Sequence, residues 1–167
     1  ALTVHHCGRP VISAGIPWYT CPFGRDSLIA GYEALVAAPE VARDALRFLA
    51  RLQGEREDPS RDEQPGKIPH EISQGAARIP WFEQFPYAFY HGDTTPFWIL
   101  ALAEYWRASG DTDAIRHLWP AIRAGYQWAR ATDGDGDGLM DNDLAGAGAI
   151  EVGDLGIGLQ SDIYMAG

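Results

Sequence analysis

The sequence predicts an all-α chain, a double ring of helices or a piece of one, and three observations predict it. Amphipathic or wholly apolar segments come in pairs, as helical hairpins do. The turns inside each pair are short while the links between pairs are long. Strand-like alternation is rare, and no βαβ order occurs.

The first inner helix is expected over Asp26 to Ala38, where Leu28, Ile29, Tyr32, Leu35 and Val36 recur at helical spacing. Pro39 suits the first position of its outer partner, since a helix's first amide needs no acceptor. In that partner Val41, Ala45, Phe48, Leu49 and Leu52 form one stripe, and Arg43, Asp44, Arg47 and Arg51 lie on the other face.

The second inner helix opens near Thr94. Its run Phe97 to Ala103 is apolar on every face, which predicts burial all round. After a turn around Ser109 to Thr112, Asp113 is expected to open the second outer helix, with Ile115, Leu118, Trp119, Ile122, Tyr126 and Ala129 on one side.

Inner-helix starts near Asp26, Thr94 and Gln160 fall about 67 residues apart. The long links, Gly54 to Gly92 and Asp133 to Gly158, precede inner helices and so belong on one rim. Loops of that length in a compact chain usually carry function.

Composition narrows the function classes. With 46% hydrophobic residues among 167, there is enough apolar mass for a core, which excludes a disordered chain. A net charge of −10 argues against nucleic acid or an anionic membrane as partner and suits a neutral polyol. Neither a membrane span nor a signal peptide is visible, so the chain is read as cytoplasmic. Cys7 and Cys21 lack metal-site spacing; two free thiols are preferred to a disulfide between them.

Three blocks carry the chemistry. In AGIPWYTCPFGRDSLI, residues 14–29, an aromatic pair and a Gly turn precede Arg25 and Asp26. An Arg and a carboxylate side by side can hold two hydroxyls of one sugar, the first donating in a fixed fork and the second accepting. Local chemistry also allows Asp26 to cap the helix with Arg25 on the surface. In the second block, GKIPHE supplies Lys67, His70 and Glu71. The following FPYAFYHGDTTPF supplies the flat faces of Tyr87, Phe89 and Tyr90, with Asp93 at the mouth of the apolar helix. Here the alternatives are a loop ion pair and a loop packed on the core. In the third block, Glu151 lies in a Gly-rich loop ahead of the third inner helix, as a structural Glu or as a candidate general acid.

The first block resembles the signature that opens the helical barrel of bacterial amylo-α-1,6-glucosidase and glycogen-debranching proteins, and glucoamylases share a shorter version. The second resembles the same family's GKIPHE and Y-x-x-D-x-T-P elements. The likeness runs from about Ser13 to the end of the chain. It implies a partial (α/α)6 toroid of about two and a half hairpins, since six at this spacing need about 400 residues.

On this resemblance residues 1–167 are the N-terminal part of a catalytic barrel domain. A preceding β-rich domain and a following half-barrel are implied as the rest of the protein. Arg25 and Asp26 would bind the terminal glucose, with Trp18 and Phe23 as pocket wall. Lys67, His70, Glu71, Tyr90 and Asp93 would be further substrate contacts.

The implied activity is inverting hydrolysis of α-1,6 or α-1,4 glucosidic bonds in glycogen-like oligosaccharides, with no cofactor required. Alternatives are a trehalase-like or other disaccharide hydrolase and a non-catalytic carbohydrate-binding protein. Relatives carry a QGWKDS-like element with an Asp where Glu151 stands, so Asp154 and Asp162 are also candidate acids. The base is expected beyond Gly167, and the isolated chain is expected to be inactive.

Asp133, Asp135 and Asp137, followed by Gly138, have the D-x-D-x-D-G spacing of a calcium loop. Position twelve is Leu144 instead of Glu, and DGDG loops also join helices in this family. Calcium is thus a candidate ligand only.

Overall fold

The computed structural model describes residues 3–6, 9–15, 21–72, 87–134, 136, 138 and 140. Four helices dominate them: α1 (Gly24–Ala34), α2 (Pro39–Ala50), α3 (Thr94–Ser109) and α4 (Thr112–Ala131). Two short antiparallel hairpins accompany the helices, so the chain is mostly helical without being purely so. Strand β1 (Thr3–His6) pairs with β2 (Arg9–Ile12), and β3 (Glu71–Ile72) pairs with β4 (Tyr87–Ala88). No helix among the described residues is long and apolar enough to cross a membrane.

The two helical hairpins are present, and α1, α2 and α4 all pack on α3. Pro39 opens α2 as expected. The shared core is built from Leu28, Leu46, Leu49, Ile68, Ile72, Trp98 and Leu102. Trp98 is fully buried, and its indole nitrogen donates to the Leu46 carbonyl at 3.0 Å, so α3 is fixed against α2 by a bond as well as by apolar area. Gly31 lets α1 approach α2: a methyl group there would stand 2.9 Å from the Ala42 Cα.

Several helix limits differ from expectation. α1 begins two residues before Asp26 and ends at Ala34 instead of Ala38, because residues 35–38 turn the chain into α2. α4 is capped by Asp111, not Asp113; the Asp111 carboxylate accepts from the Ala114 amide at 3.0 Å. Burial differs too. α3 is not buried all round, since Leu100 and Trp106 are half-exposed, and on α4 Trp119 and Tyr126 lie outside the buried stripe of Ala114, Leu118, Gly125 and Trp128. Val36 is 99% exposed. The described neighbours cover one side of each helix, and periodicity alone could not show which apolar positions that side would take.

The described part of the first long link, residues 54–72 and 87–92, is packed. Ile68 and Ile72 enter the core, and the Ile68 amide donates to the Thr95 hydroxyl at 2.9 Å. This bond sets the link against the first turn of α3, at the end where α1 also begins, which is where the rim argument placed it. The expected third inner helix near Gln160 lies outside the described residues.

Candidate functional site

α1 and α3 begin side by side, and neither is capped by its own N-terminal side chain. The residue before α1 is Phe23, whose ring cannot accept a hydrogen bond. At the head of α3 stands Asp93, a good capping residue by type, yet its carboxylate makes no cap bond and instead accepts from the Arg25 guanidinium. That pair joins positions 68 apart in sequence, with side chains 30% and 14% exposed, so it is only partly open to water. A charged carboxylate diverted from a local cap to a distant guanidinium marks a place where local preference yields to something else.

The missing cap of α1 comes from His70. Its carbonyl accepts from the Gly24 amide at 2.7 Å and its Nδ1 accepts from the Arg25 amide at 3.1 Å. An antiparallel bridge between Phe23 and Glu71 runs alongside, and the Phe23 ring leans on the His70 ring at 5.5 Å. His70 in turn meets His91 edge to face at 4.5 Å, and the His91 Nε2 stands 2.7 Å from the Glu71 Oε1. His70, Glu71 and His91 are each only 5% exposed. The other Glu71 oxygen is buried with no hydrogen-bond partner among the described residues.

Burial, together with the His91 and Arg25 charges, holds His70 well below its usual 6.5. The sign follows: between the depressed folded value and 6.5 the unfolded chain takes up a proton that the folded chain refuses. Stability from this group is therefore complete above 6.5 and falls as pH drops below it, by at most about 1.4 kcal/mol per pH unit. Urea midpoints at pH 7.5, 6.5 and 5.5 are expected to fall less steeply in His70→Asn than in the wild type; equal slopes would refute the assignment.

Cys21 is a buried free thiol, pushed up to about 11 by burial and by the Asp26 charge. It is thus neutral and unreactive at ordinary pH. Cys7 is outside the described residues.

The expected site residues do not all share one place. Arg25, His70, Glu71 and Asp93 come together, with Phe23 beside them, and Tyr90 packs with Phe23 against Cys21 and Ala88 while donating its hydroxyl to the Ser60 carbonyl at 2.8 Å. Asp26 neither caps α1 nor turns inward with Arg25. It is exposed, because consecutive helical residues point about 100° apart. Lys67 is buried in a separate set: its ammonium bonds Asp62 at 2.6 Å and lies 5.4 Å from the Trp128 ring centre. Trp18, Glu151, Asp154, Asp162, Asp135 and Asp137 lie outside the described residues.

Of the calcium loop, Asp133 is described. Its two carboxylate oxygens accept from the Gly136 and Gly138 amides at 2.8 and 3.2 Å, as the side chain of an Asx turn does.

His91, missing from the expected set, sits two residues before Asp93 and could have been found from that neighbourhood. Its donor atom and those of His70 and Glu71 lie within 4.8 Å of one another, as metal ligands could. The hydrogen bonds oppose such use. The Arg25 amide occupies the His70 Nδ1 lone pair, so the neutral ring carries its proton on Nε2, and a metal would have to displace one or the other. The trio is therefore a hydrogen-bonded cluster behind the Arg25–Asp93 pair. What the arrangement offers at the shared helix end is a guanidinium fork, carboxylate acceptors and an aromatic flank, the groups by which proteins hold polyhydroxylated rings. No protein-family model matches the chain, and no curated protein is similar enough to count as a relative.

Proposed function

We propose that this chain carries the sugar-gripping part of a glycoside hydrolase active site of the amylo-α-1,6-glucosidase and glycogen-debranching kind, its hairpins forming part of a six-hairpin toroid. The observation that carries the reading is the Arg25–Asp93 pair, in which two sequence blocks that resemble that family's site elements meet at the shared mouth of α1 and α3. The pair's partial exposure leaves donor and acceptor capacity for hydroxyls.

In this reading Arg25 donates to ring hydroxyls while Asp93 accepts, with Phe23 as the apolar flank. Asp26, exposed one residue beyond Arg25, is left for an outer hydroxyl. Inverting hydrolysis would need a protonated carboxyl at the leaving oxygen, the role given to Glu151, and a second carboxylate about 6.5–9.5 Å away to activate water. Arg25, Asp93 and Phe23 bind and orient the ring; they do not transfer the proton.

Titration of the 15N-labelled chain with maltotriose and isomaltotriose tests this. Amide shifts are expected at residues 23–26 and 91–94. Arg25→Ala and Asp93→Asn are each expected to weaken binding about tenfold or more, the cost of losing one charge-assisted hydrogen bond, while the surface variant Arg116→Ala leaves it unchanged. An absence of shifts with both sugars, or undiminished affinity in both variants, would reject the reading.

A further inference from the structure

We propose that His70 is a positioning residue: its Nδ1 caps the second amide of α1 and thereby sets Arg25 in reach of Asp93, so that His70 itself touches neither sugar nor metal. The work required of Arg25 rests on the carbohydrate reading, but the work of His70 does not.

Four observations converge on this. The natural cap position of α1 holds Phe23, which cannot accept a hydrogen bond, leaving the first amides of the helix without a local partner. His70 supplies both acceptors, its carbonyl to Gly24 and its ring nitrogen to Arg25, at 2.7 and 3.1 Å. The ring is 5% exposed and held between Phe23 and His91. Its own backbone is fixed as well, its amide donating to the Ala88 carbonyl at 3.2 Å.

An imidazole is suited to this task only as the neutral tautomer with its proton on Nε2, because a charged ring has no lone pair left for the Arg25 amide. A buried site beside Arg25 and at the positive end of a helix favours that form. The geometry then couples the two blocks: a change at residue 70 moves the amide of the same residue whose guanidinium meets Asp93.

Two near-isosteres separate positioning from direct contact. The Asn side-chain oxygen can occupy the place of Nδ1, whereas Gln projects its amide toward the place of Nε2. His70→Asn is therefore expected to keep Arg25 amide protection against hydrogen exchange, and maltotriose affinity, within about twofold of wild type. His70→Gln is expected to lose about tenfold in both, the loss of one hydrogen bond. The reverse order, with Gln preserved and Asn impaired, would overturn the proposal in favour of a contact made through Nε2.

A zinc titration that raises the melting temperature of the wild type, and of neither variant, would overturn it in favour of a metal ligand. If neither variant folds, long-range 15N–1H spectra of the wild type decide. An unprotonated Nδ1 at pH 7 supports the proposal, and a protonated Nδ1 sinks it. Should the wild type bind no maltotriose, the carbohydrate reading fails while tautomer and amide protection still judge the role of His70.

Discussion

Gly24→Ala is expected to destabilise the protein by about 3 kcal/mol, the upper part of the ordinary range for forcing a group into packed space, and to lower Tm by roughly 6–12 °C for a chain of this size. Local propensity argues the other way, since alanine is worth about 1 kcal/mol more than glycine inside a helix. Tertiary contact wins because an added methyl would stand 2.3 Å from the Pro69 carbonyl oxygen, 2.9 Å from the Thr94 Cγ2 and 3.0 Å from the His70 Cα. Two of those three are backbone, which cannot swing aside as the end of a long side chain can.

Relief requires α1 to withdraw from residues 69–70. That breaks the Gly24 and Arg25 bonds to His70 and draws Arg25 away from Asp93. Sugar affinity should fall with stability, in contrast to a surface change. Gly92→Ala is the control: it lies beside Asp93, yet a methyl group there meets nothing within 4 Å. Thermal melts of the two variants check the argument, and similar Tm values would show that the contact at Gly24 is relieved at no cost.

The legible part of this arrangement followed from periodicity and end signals. Pro39 opened α2, the Phe97 run announced α3, and the shortness of the inner-to-outer turns placed the long loops with the starts of α1 and α3. That placement is why Arg25 and Asp93, far apart in sequence, could be grouped in advance. The direction of each side chain was not legible. Arg25 and Asp26 read as a pair because they are adjacent, but a helix turns about 100° per residue, so only one of them can face the next helix. The cap of α1 was equally hidden. A search near the helix start finds Asp26, whereas the acceptor comes from His70, 45 positions away, through a loop whose path depends on its own buried anchors. Lys67 shows a related limit: a residue type suited to a ligand also suits a buried ion pair, and here its ammonium bonds Asp62.

Those anchors make the second large prediction. Arg61 and Glu63 form a buried ion pair, their side chains 9% and 5% exposed, with the guanidinium 4.9 and 5.8 Å from the ring centres of Tyr87 and Phe89. Glu63 also accepts from the Glu55 amide at 3.0 Å, and the Arg61 carbonyl accepts from the Phe89 amide at 2.9 Å. One pair thus ties the turn at 58–63 to the β4 segment that carries the site toward His91 and Asp93. Glu63→Ala removes the partner of a charge already taken out of water, and breaking such a pair costs about 3–5 kcal/mol. Asp58, 3.4 Å from the Arg61 Nε, compensates in part, which favours the lower figure.

The double change Arg61→Met with Glu63→Leu removes both charges and keeps apolar volume, so it should lose less than Glu63→Ala alone. Urea denaturation of the three proteins distinguishes desolvation from simple loss of attraction. A double variant less stable than Glu63→Ala would mean that the pair contributes through its hydrogen bonds to the loop, not through mutual neutralisation. Amide exchange at residues 70–72 provides the link to the site: it should quicken in Glu63→Ala, because the anchor and the cap of α1 lie on one continuous stretch of chain.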